Sequence, residues 1–181
     1  MRATGIVRRI DDLGRIVVPK EIRRILKIRE GDPLEIFTDS NGCIILKKYS
    51  PIGELSSIAK ECAESLFQTS GHVVCVSDKE EIIAIAGGLK KEFFQKKISD
   101  ELEKIINERN LLIAQRGETN FVQVLNSESK NYYNHELIMP IIAEGDVSGA
   151  VIFLSAEKKM GEVESKLAQM ASIFLGKQIE A

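Results

Sequence analysis

The sequence predicts an α+β protein in which a small module of short strands precedes a larger antiparallel sheet flanked by helices. Short apolar runs separated by turn residues fill positions 1–50. Behind them, apolar residues at helical spacing alternate with pairs of apolar strands. Charge divides the 181-residue chain at the same place: positions 1–50 carry 11 Lys or Arg against 7 Asp or Glu, and positions 51–181 carry 14 against 20. A basic module joined to an acidic body indicates an anionic partner at one end of the chain.

The first fifty residues predict a short helix between two pairs of strands. Pro19 disfavours a helical Val18 and suits the start of a helix. The helix is therefore expected over residues 20–26. Asp, Asn and Gly supply turn chemistry within each strand pair, most strongly at residues 39–42. The expected strands are 5–10, 15–18, 34–38 and 43–48.

Positive charge is concentrated on one face of this helix. Its four cations are spaced at i, i+3, i+4 and i+7, so they form one stripe opposite the apolar Ile22 and Ile25. The stripe consists of Lys20, Arg23, Arg24 and Lys27. Such a stripe is most often a solvated helix face, but the neighbouring strands add Arg8, Arg9 and Arg15. Alternate residues of a strand face opposite sides, so one of Arg8 and Arg9 is expected to share the face of the stripe, and the pattern leaves open which one.

The N-terminal module is too small to be stable by itself. Fifty residues with four short strands bury little apolar surface, and the segment has no disulfide pair or metal motif to compensate. Association of two copies is the remaining source of stability, and a two-fold dimer matches the symmetry of a duplex site. The three cysteines, Cys43, Cys62 and Cys75, have no CxxC spacing and are interpreted as buried reduced thiols. Neither a metal nor a cofactor is expected.

Residues 4–48 resemble the swapped-hairpin DNA-binding domain of the AbrB/SpoVT family of transition-state regulators. The resemblance rests on the runs TGIVRRID (4–11), LGRIVVP (13–19), EIRR (21–24), GDPLEI (31–36) and IILKKY (44–49). It implies that two chains interleave their hairpins into one homodimeric β-barrel that binds double-stranded DNA. It also implies that the principal DNA-contacting residues are Arg8, Arg15, Arg23 and Arg24. The charge pattern adds Arg9, Lys20 and Lys27 as further candidates.

The rest of the chain predicts a helix, two strands, two helices, three strands and a last helix. The expected domains are 1–50, a linking helix at 51–70, and a body at 71–181. Asp100 and Glu103 are spaced as a capping box at the start of the longer middle helix. The expected helices are 51–70, 90–95, 100–112 and 162–179, and the expected strands are 73–77, 82–86, 121–125, 136–142 and 147–155.

This order of elements resembles a GAF domain over about residues 56–180, and residues 139–152 look like its closing hairpin. The resemblance implies a sensor or dimerisation module, and the Asn-Lys…Phe…Asp-Glu signature of the cyclic-nucleotide subclass is absent. Two interpretations stay open. In one, helices 52–68 and 162–179 of two chains pair, so that dimers join into a homotetramer. In the other, an unknown small-molecule effector binds a pocket under strand 121–125 and the helices of residues 90–112, and thereby changes the affinity for DNA. Tyr132, Tyr133 and His135 are the candidates to line this pocket.

The sequence offers no sign of an enzyme or of a membrane protein. It contains no Walker phosphate loop, zinc-protease motif or G-x-S-x-G elbow, and no apolar run long enough to cross a bilayer. The resemblance implies a cytoplasmic, nucleoid-associated regulator that binds DNA sequence-selectively and activates or represses sporulation genes. The alternative is an antitoxin-like protein-binding module, since toxin-neutralising proteins use a similar N-terminal fold.

Overall fold

The computed structural model describes residues 5–126 and 132–180, and of residues 53 and 54 it describes the backbone alone. The chain consists of two compact units, Met1–Tyr49 and Ser50–Ala181. In the described ranges, the first unit has a two-stranded sheet and the second a five-stranded sheet. No helix in these ranges combines the length and the apolar character that crossing a bilayer requires.

The Met1–Tyr49 unit contains a short helix followed by a hairpin. Helix α1 spans Lys20–Ile25, strand β1 spans Leu34–Thr38 and strand β2 spans Ile44–Lys48. The two strands pair antiparallel with Ile36 opposite Leu46, and residues 39–42 form the turn between them. The predicted helix and the second predicted strand pair are confirmed, each to within one residue.

The first predicted strand pair is wrong for the single chain, because no strand is assigned within residues 5–18. The turn between the two segments does form, with the Gly14 N–H donating to the Asp11 carbonyl at 3.0 Å. A strand exists through hydrogen bonds to a neighbouring strand, and in this unit β1 and β2 pair with each other. Residues 5–18 have the apolar pattern of strands, but that pattern does not make them a sheet without a neighbouring strand to pair with.

The Ser50–Ala181 unit is an antiparallel sheet with helices packed on it. Its helices are α2 (Pro51–Glu54), α3 (Ser56–Ser70), α4 (Lys90–Phe93), α5 (Asp100–Asn107) and α6 (Glu162–Ile179). Its strands are β3 (Val73–Ser77), β4 (Ile82–Ala86), β5 (Leu112–Gln115), β6 (His135–Ala143) and β7 (Asp146–Ser155). The strand order is β4-β3-β7-β6-β5, so the long β6–β7 hairpin lies between the β3–β4 hairpin and the single strand β5.

Three of the predicted elements of this unit differ in the structure. The helix expected over 100–112 ends at residue 107, because Arg109 takes a left-handed φ of +61°, and residues 112–115 form β5 along β6. Residues 121–125 were expected to be one of the five strands and instead contribute an isolated bridge between Leu125 and Ile98. The helix expected over 51–70 is divided at Leu55 into α2 and α3.

The cap of α5 also differs from the expected capping box. The Ser99 hydroxyl accepts the Leu102 N–H at 2.9 Å, which makes Ser99 the N-cap in place of Asp100. Asp100 and Glu103 lie in the first turn of α5, where negative charge interacts favourably with the helix dipole.

Apolar side chains cover both faces of the five-stranded sheet. The alternation of β3 places Val74 and Val76 on one face and Cys75 on the other. The first face packs against α3 and α6, which contribute fully buried residues such as Ala63 and Leu175. The second face packs against α4, α5 and the connection between β5 and β6.

Candidate nucleic-acid interface

One aspartate organises the turn at residues 11–15. The Oδ1 of Asp11 accepts the backbone N–H groups of Leu13 at 3.0 Å and of Arg15 at 2.8 Å. Its Oδ2 accepts the side-chain Nε–H of Arg15 at 2.8 Å. These bonds hold the pKa of Asp11 below its ordinary value, and the backbone N–H of Arg15 contributes most. Arg15 is thus anchored at Nε while its side chain remains 68% exposed. This contact was not predicted from the sequence, although the Asp-x-x-x-Arg spacing across a turn is a signal for it.

Helix α1 carries three of the predicted contact residues on one face. Lys20 and Arg24 are exposed and Arg23 is half-buried, and their spacing of three and four places them on neighbouring turns. Arg23 and Arg24 also lie in the last turn, where positive charge stabilises a helix whatever its partner. The Nε of Arg23 is buried and has no acceptor among the described residues.

Lys27 does not belong to this stripe. Helix α1 ends at Ile25, and Lys27 has a left-handed φ of +51°. The N–H of Ile28 donates to the Arg23 carbonyl at 2.7 Å, which closes the helix end in the manner of a Schellman motif. The prediction that Lys27 continues the helical stripe is wrong, because the backbone leaves the helix before it. The exposed side chain stays a candidate contact on its charge alone.

Arg8 and Arg9 lie on the segment before the turn, and both are exposed. Since the structure assigns this segment no strand, the alternation rule does not separate their faces. Which of the two faces a partner stays open.

The same unit exposes its apolar side chains. No described Val, Ile, Leu or Phe between residues 5 and 49 is buried, and apart from Pro19 the buried apolar residues of the described chain begin at Ile52. Val7 is 86% exposed and Ile36 is 67% exposed. An apolar surface of this kind on so small a unit is typical of a protein that associates.

Helix α6 exposes a second apolar surface. Four residues at the spacing i, i+7, i+10 and i+11 are exposed although they are large and apolar: Val163, Met170, Ile173 and Phe174. The opposite side of α6, including Ala168 and Leu175, is fully buried against the sheet. Such a stripe along one helix face has the spacing of a helix-pairing seam.

The space beneath residues 121–125 is filled by the protein's own side chains. Tyr133 is 1% exposed, and its hydroxyl oxygen accepts the Val124 N–H at 2.9 Å. The Phe93 ring packs edge-on against Tyr133 with centroids 6.4 Å apart. Tyr132 is half-buried and His135 is buried at the start of β6. Tyr133 therefore serves packing in this structure.

No disulfide joins the three cysteines of the chain. Cys75 is buried, and Cys43 and Cys62 are half-buried. Burial raises the pKa of the Cys62 thiol, which disfavours the reactive thiolate. Within residues 5–126 and 132–180, no group of three or more His, Cys, Asp or Glu is arranged to hold a metal ion.

Two known families match parts of the chain. The family "Stage V sporulation protein T C-terminal, transcription factor" matches residues 54–180, and the family "Antidote-toxin recognition MazE, bacterial antitoxin" matches residues 7–54. The chain is 50% identical over 182 residues to stage V sporulation protein T of Bacillus subtilis, covering 99% of each protein. It is 59% identical over 51 residues to the transition state regulatory protein AbrB of the same organism, covering 28% of this chain and 52% of that protein.

The fold of the larger unit matches solved GAF domains. The cofactor binding GAF domain of the nutrient sensor CodY from Clostridium difficile aligns with a TM-score of 0.53 and 15% identity, over 66% of this chain and 83% of that one. The likeness shows a GAF-like fold for the C-terminal domain, as the element order predicted. The family that matches residues 54–180 is one of transcription factors, so the protein is not an enzyme. The chain belongs to the stage V sporulation protein T family of AbrB-type DNA-binding transcription factors.

Proposed function

We propose that the chain binds double-stranded DNA sequence-selectively through the Met1–Tyr49 unit and thereby activates or represses sporulation genes. The observation that carries the proposal is the exposed cationic surface of this unit in an otherwise acidic chain. Neutralising phosphates releases counterions, which supplies most of the affinity. The principal contacts are assigned to Arg8, Arg15, Arg23 and Arg24, and further contacts to Arg9, Lys20 and Lys27.

The salt dependence of binding tests this function. Each lost phosphate contact reduces the slope of log affinity against log salt by about 0.9, so Arg23→Ala with Arg24→Ala should reduce it by about 2 per bound subunit. Lys158→Ala with Lys159→Ala removes the same charge from exposed positions of the other unit and should leave the slope unchanged. A salt-independent affinity, or a slope that the arginine substitutions do not alter, would overturn the proposal.

Two copies of the N-terminal unit are proposed to form a homodimer. The exposed apolar side chains of this unit support it, since so small a unit gains stability by burying them against a second copy. In the interleaved arrangement, residues 5–18 of each chain obtain neighbouring strands from the partner. The dimer doubles the cationic surface and gives it two-fold symmetry, which suits two half-sites on a duplex.

Pairing of α6 between dimers is proposed to give a homotetramer. The exposed stripe of Val163, Met170, Ile173 and Phe174 supports this role, because helix pairing would remove it from water. Light scattering tests it: Met170→Glu with Phe174→Glu should convert tetramers to dimers. Gln169→Glu, at an exposed neighbouring position, should leave the mass unchanged. A mass unaffected by the paired substitutions would count against the seam.

Effector binding by the GAF-like domain is a second candidate role. It is supported by the fold shared with the cofactor binding domain of CodY. Phe93 and Tyr133 fill the space where the effector pocket was expected, which favours subunit pairing as the role of this domain. Thermal denaturation of the full chain against a metabolite panel separates the two roles. A specific ligand raises the Tm by mass action, and a consistent absence of shifts favours pairing alone.

The proposed DNA partner implies that the chain acts in the cytoplasm, associated with the nucleoid.

The alternative function is antitoxin-like protein binding, which the match of residues 7–54 to the MazE family supports. Antitoxins of this kind usually end in a disordered acidic tail that wraps the toxin, whereas a folded unit follows here. A pull-down that recovered one stoichiometric protein and no DNA would reverse this order.

A further inference from the structure

Two turns of the Met1–Tyr49 unit, at residues 11–15 and 39–43, share one hydrogen-bond pattern. In each turn, the N–H of the first aspartate donates to the carbonyl four residues later at 3.1 Å, and a glycine N–H donates back to the aspartate carbonyl. The Oδ1 of Asp11 accepts the N–H groups of residues 13 and 15, and the Oδ1 of Asp39 accepts those of residues 41 and 43. Gly14 and Gly42 have φ values of +76° and +77°. One carboxylate oxygen is therefore sufficient for this turn.

Asp11 uses its second oxygen on a side chain. Its Oδ2 accepts the Nε–H of Arg15 at 2.8 Å, and the corresponding residue of the other turn is Cys43, which carries no cation. The turn geometry does not require the contact, because the second turn forms without it. An exposed ion pair of this kind adds little to stability. Its main physical effect is to orient the guanidinium.

An arginine that is held at Nε presents its two terminal amino groups end-on. Nη1 and Nη2 are then available to the O6 and N7 atoms of guanine, the commonest specific contact in the major groove. The carboxylate beside the guanidinium repels phosphate, which disfavours contact with the DNA backbone. Given the proposed DNA binding, we propose that Asp11 is a positioning residue that holds Arg15 for bidentate contact with a guanine. The pair then contributes sequence preference rather than general affinity.

Asp11→Asn in the full chain tests this role. Asparagine keeps one side-chain oxygen for the turn, in which it is a favoured residue, but its amide nitrogen does not accept the Nε–H of Arg15. Asp39→Asn makes the same change in the turn without an arginine, and Asp12→Asn removes the same charge one residue away. Binding is measured on a duplex that the wild-type chain enriches from a random pool, on variants with each G·C pair replaced by A·T, and on an unrelated duplex.

We expect Asp11→Asn to lose about tenfold of the preference for G·C at one position. Arg15→Lys should lose the preference at the same position, and the combined substitutions should lose little more than either alone, since the two residues act through one contact. The affinity of Asp11→Asn for the unrelated duplex should be unchanged or higher, because a negative charge is removed. Both control variants should keep the preference.

A G·C preference retained by Asp11→Asn would overturn the positioning role. An equal loss in Asp39→Asn would also overturn it, since the effect would then belong to the turn. If Asp11→Asn does not fold, Arg15→Lys decides: a loss confined to one G·C pair supports the end-on contact, and a uniform loss on all duplexes overturns it. A wild-type chain that binds neither the random pool nor the unrelated duplex would overturn the proposed DNA binding itself. A chain that binds both but enriches no duplex would overturn the contribution of the pair to sequence preference, so the two results are distinguishable.

Discussion

We expect Gly176→Ala to destabilise the GAF-like unit, although the same substitution stabilises an exposed helix. Gly176 lies near the end of α6, where the helix meets β6. A Cβ at this position would lie 2.4 Å from the carbonyl oxygen of Ile142. A carbon atom approaches a carbonyl oxygen to about 3.3 Å, so α6 and β6 would have to separate by about 0.9 Å.

The cost of this separation exceeds the gain in helix propensity. Overpacking a core contact costs about 1–3 kcal/mol, and replacing glycine by alanine in a helix returns about 1 kcal/mol. The separation also strains the bond from the Ser172 hydroxyl to the Pro140 carbonyl, which is 2.6 Å long and buried. The loss of a buried bond of this type costs about 1 kcal/mol more. We therefore expect the free energy of unfolding to fall by about 2 kcal/mol.

Urea denaturation followed by circular dichroism measures this change. Protein concentration must be held constant, because association adds to the apparent stability. Gln169→Ala, on the exposed side of the same helix, is the control and should change the free energy of unfolding by less than about 0.5 kcal/mol. A Gly176→Ala chain as stable as the wild type, or more stable, would refute the packing argument.

Three further results are expected. Ser99→Ala removes the N-cap of α5 and should lower the free energy of unfolding by about 1 kcal/mol in the same assay, with Ser99→Thr retaining most of it. Glu164 accepts the Gly161 N–H at 2.8 Å, and this bond is the largest cause that holds the pKa of Glu164 below 4.5. The stabilisation from this bond is complete above pH 4.5 and is lost as the pH falls through the lowered pKa of Glu164. Glu164→Gln should therefore flatten the acid limb of a plot of the free energy of unfolding against pH. Lys27→Gly relieves a left-handed backbone and should raise the free energy of unfolding by about 1 kcal/mol, whereas a decrease would show that the Lys27 side chain stabilises the fold.

The elements that the sequence predicted well carry their own local signals. Pro19 marks the start of α1 by restricting the residue before it, and the turn at residues 39–42 sets the pairing of β1 with β2. Helix α6 has the same bounds as predicted, because an uninterrupted helical pattern runs through it. In each case the decisive residues lie within or beside the element.

The elements that the sequence predicted wrongly depend on distant or backbone effects. Residues 112–115 become a strand because β6 offers them an edge, with Ile113 opposite Leu137, and no local pattern reveals that edge. Residues 121–125 have a strand-like composition but reach Ile98 through a single bridge. Lys27 leaves the helix although its spacing fits the stripe, because its backbone is left-handed. The sequence does not reveal this helix end, since the left-handed position is occupied by lysine and not by the usual glycine.

The candidate DNA-binding site also has a part that the sequence predicts and a part that it does not. The sequence predicts the positive charge, but not the orientation of the arginine. A count of cations finds Arg15, since an arginine in a basic segment is visible in any composition analysis. A count of positive charges does not identify Asp11 as part of the site, because an acidic residue lowers the net charge of the surface it helps to organise. The structure joins the two by a 2.8 Å bond from Nε to Oδ2. In a small module with few contacts to the bases, an oriented arginine discriminates between sequences while a freely moving one mainly adds affinity. The acidic residues of a basic surface are therefore where the determinants of sequence preference should be sought.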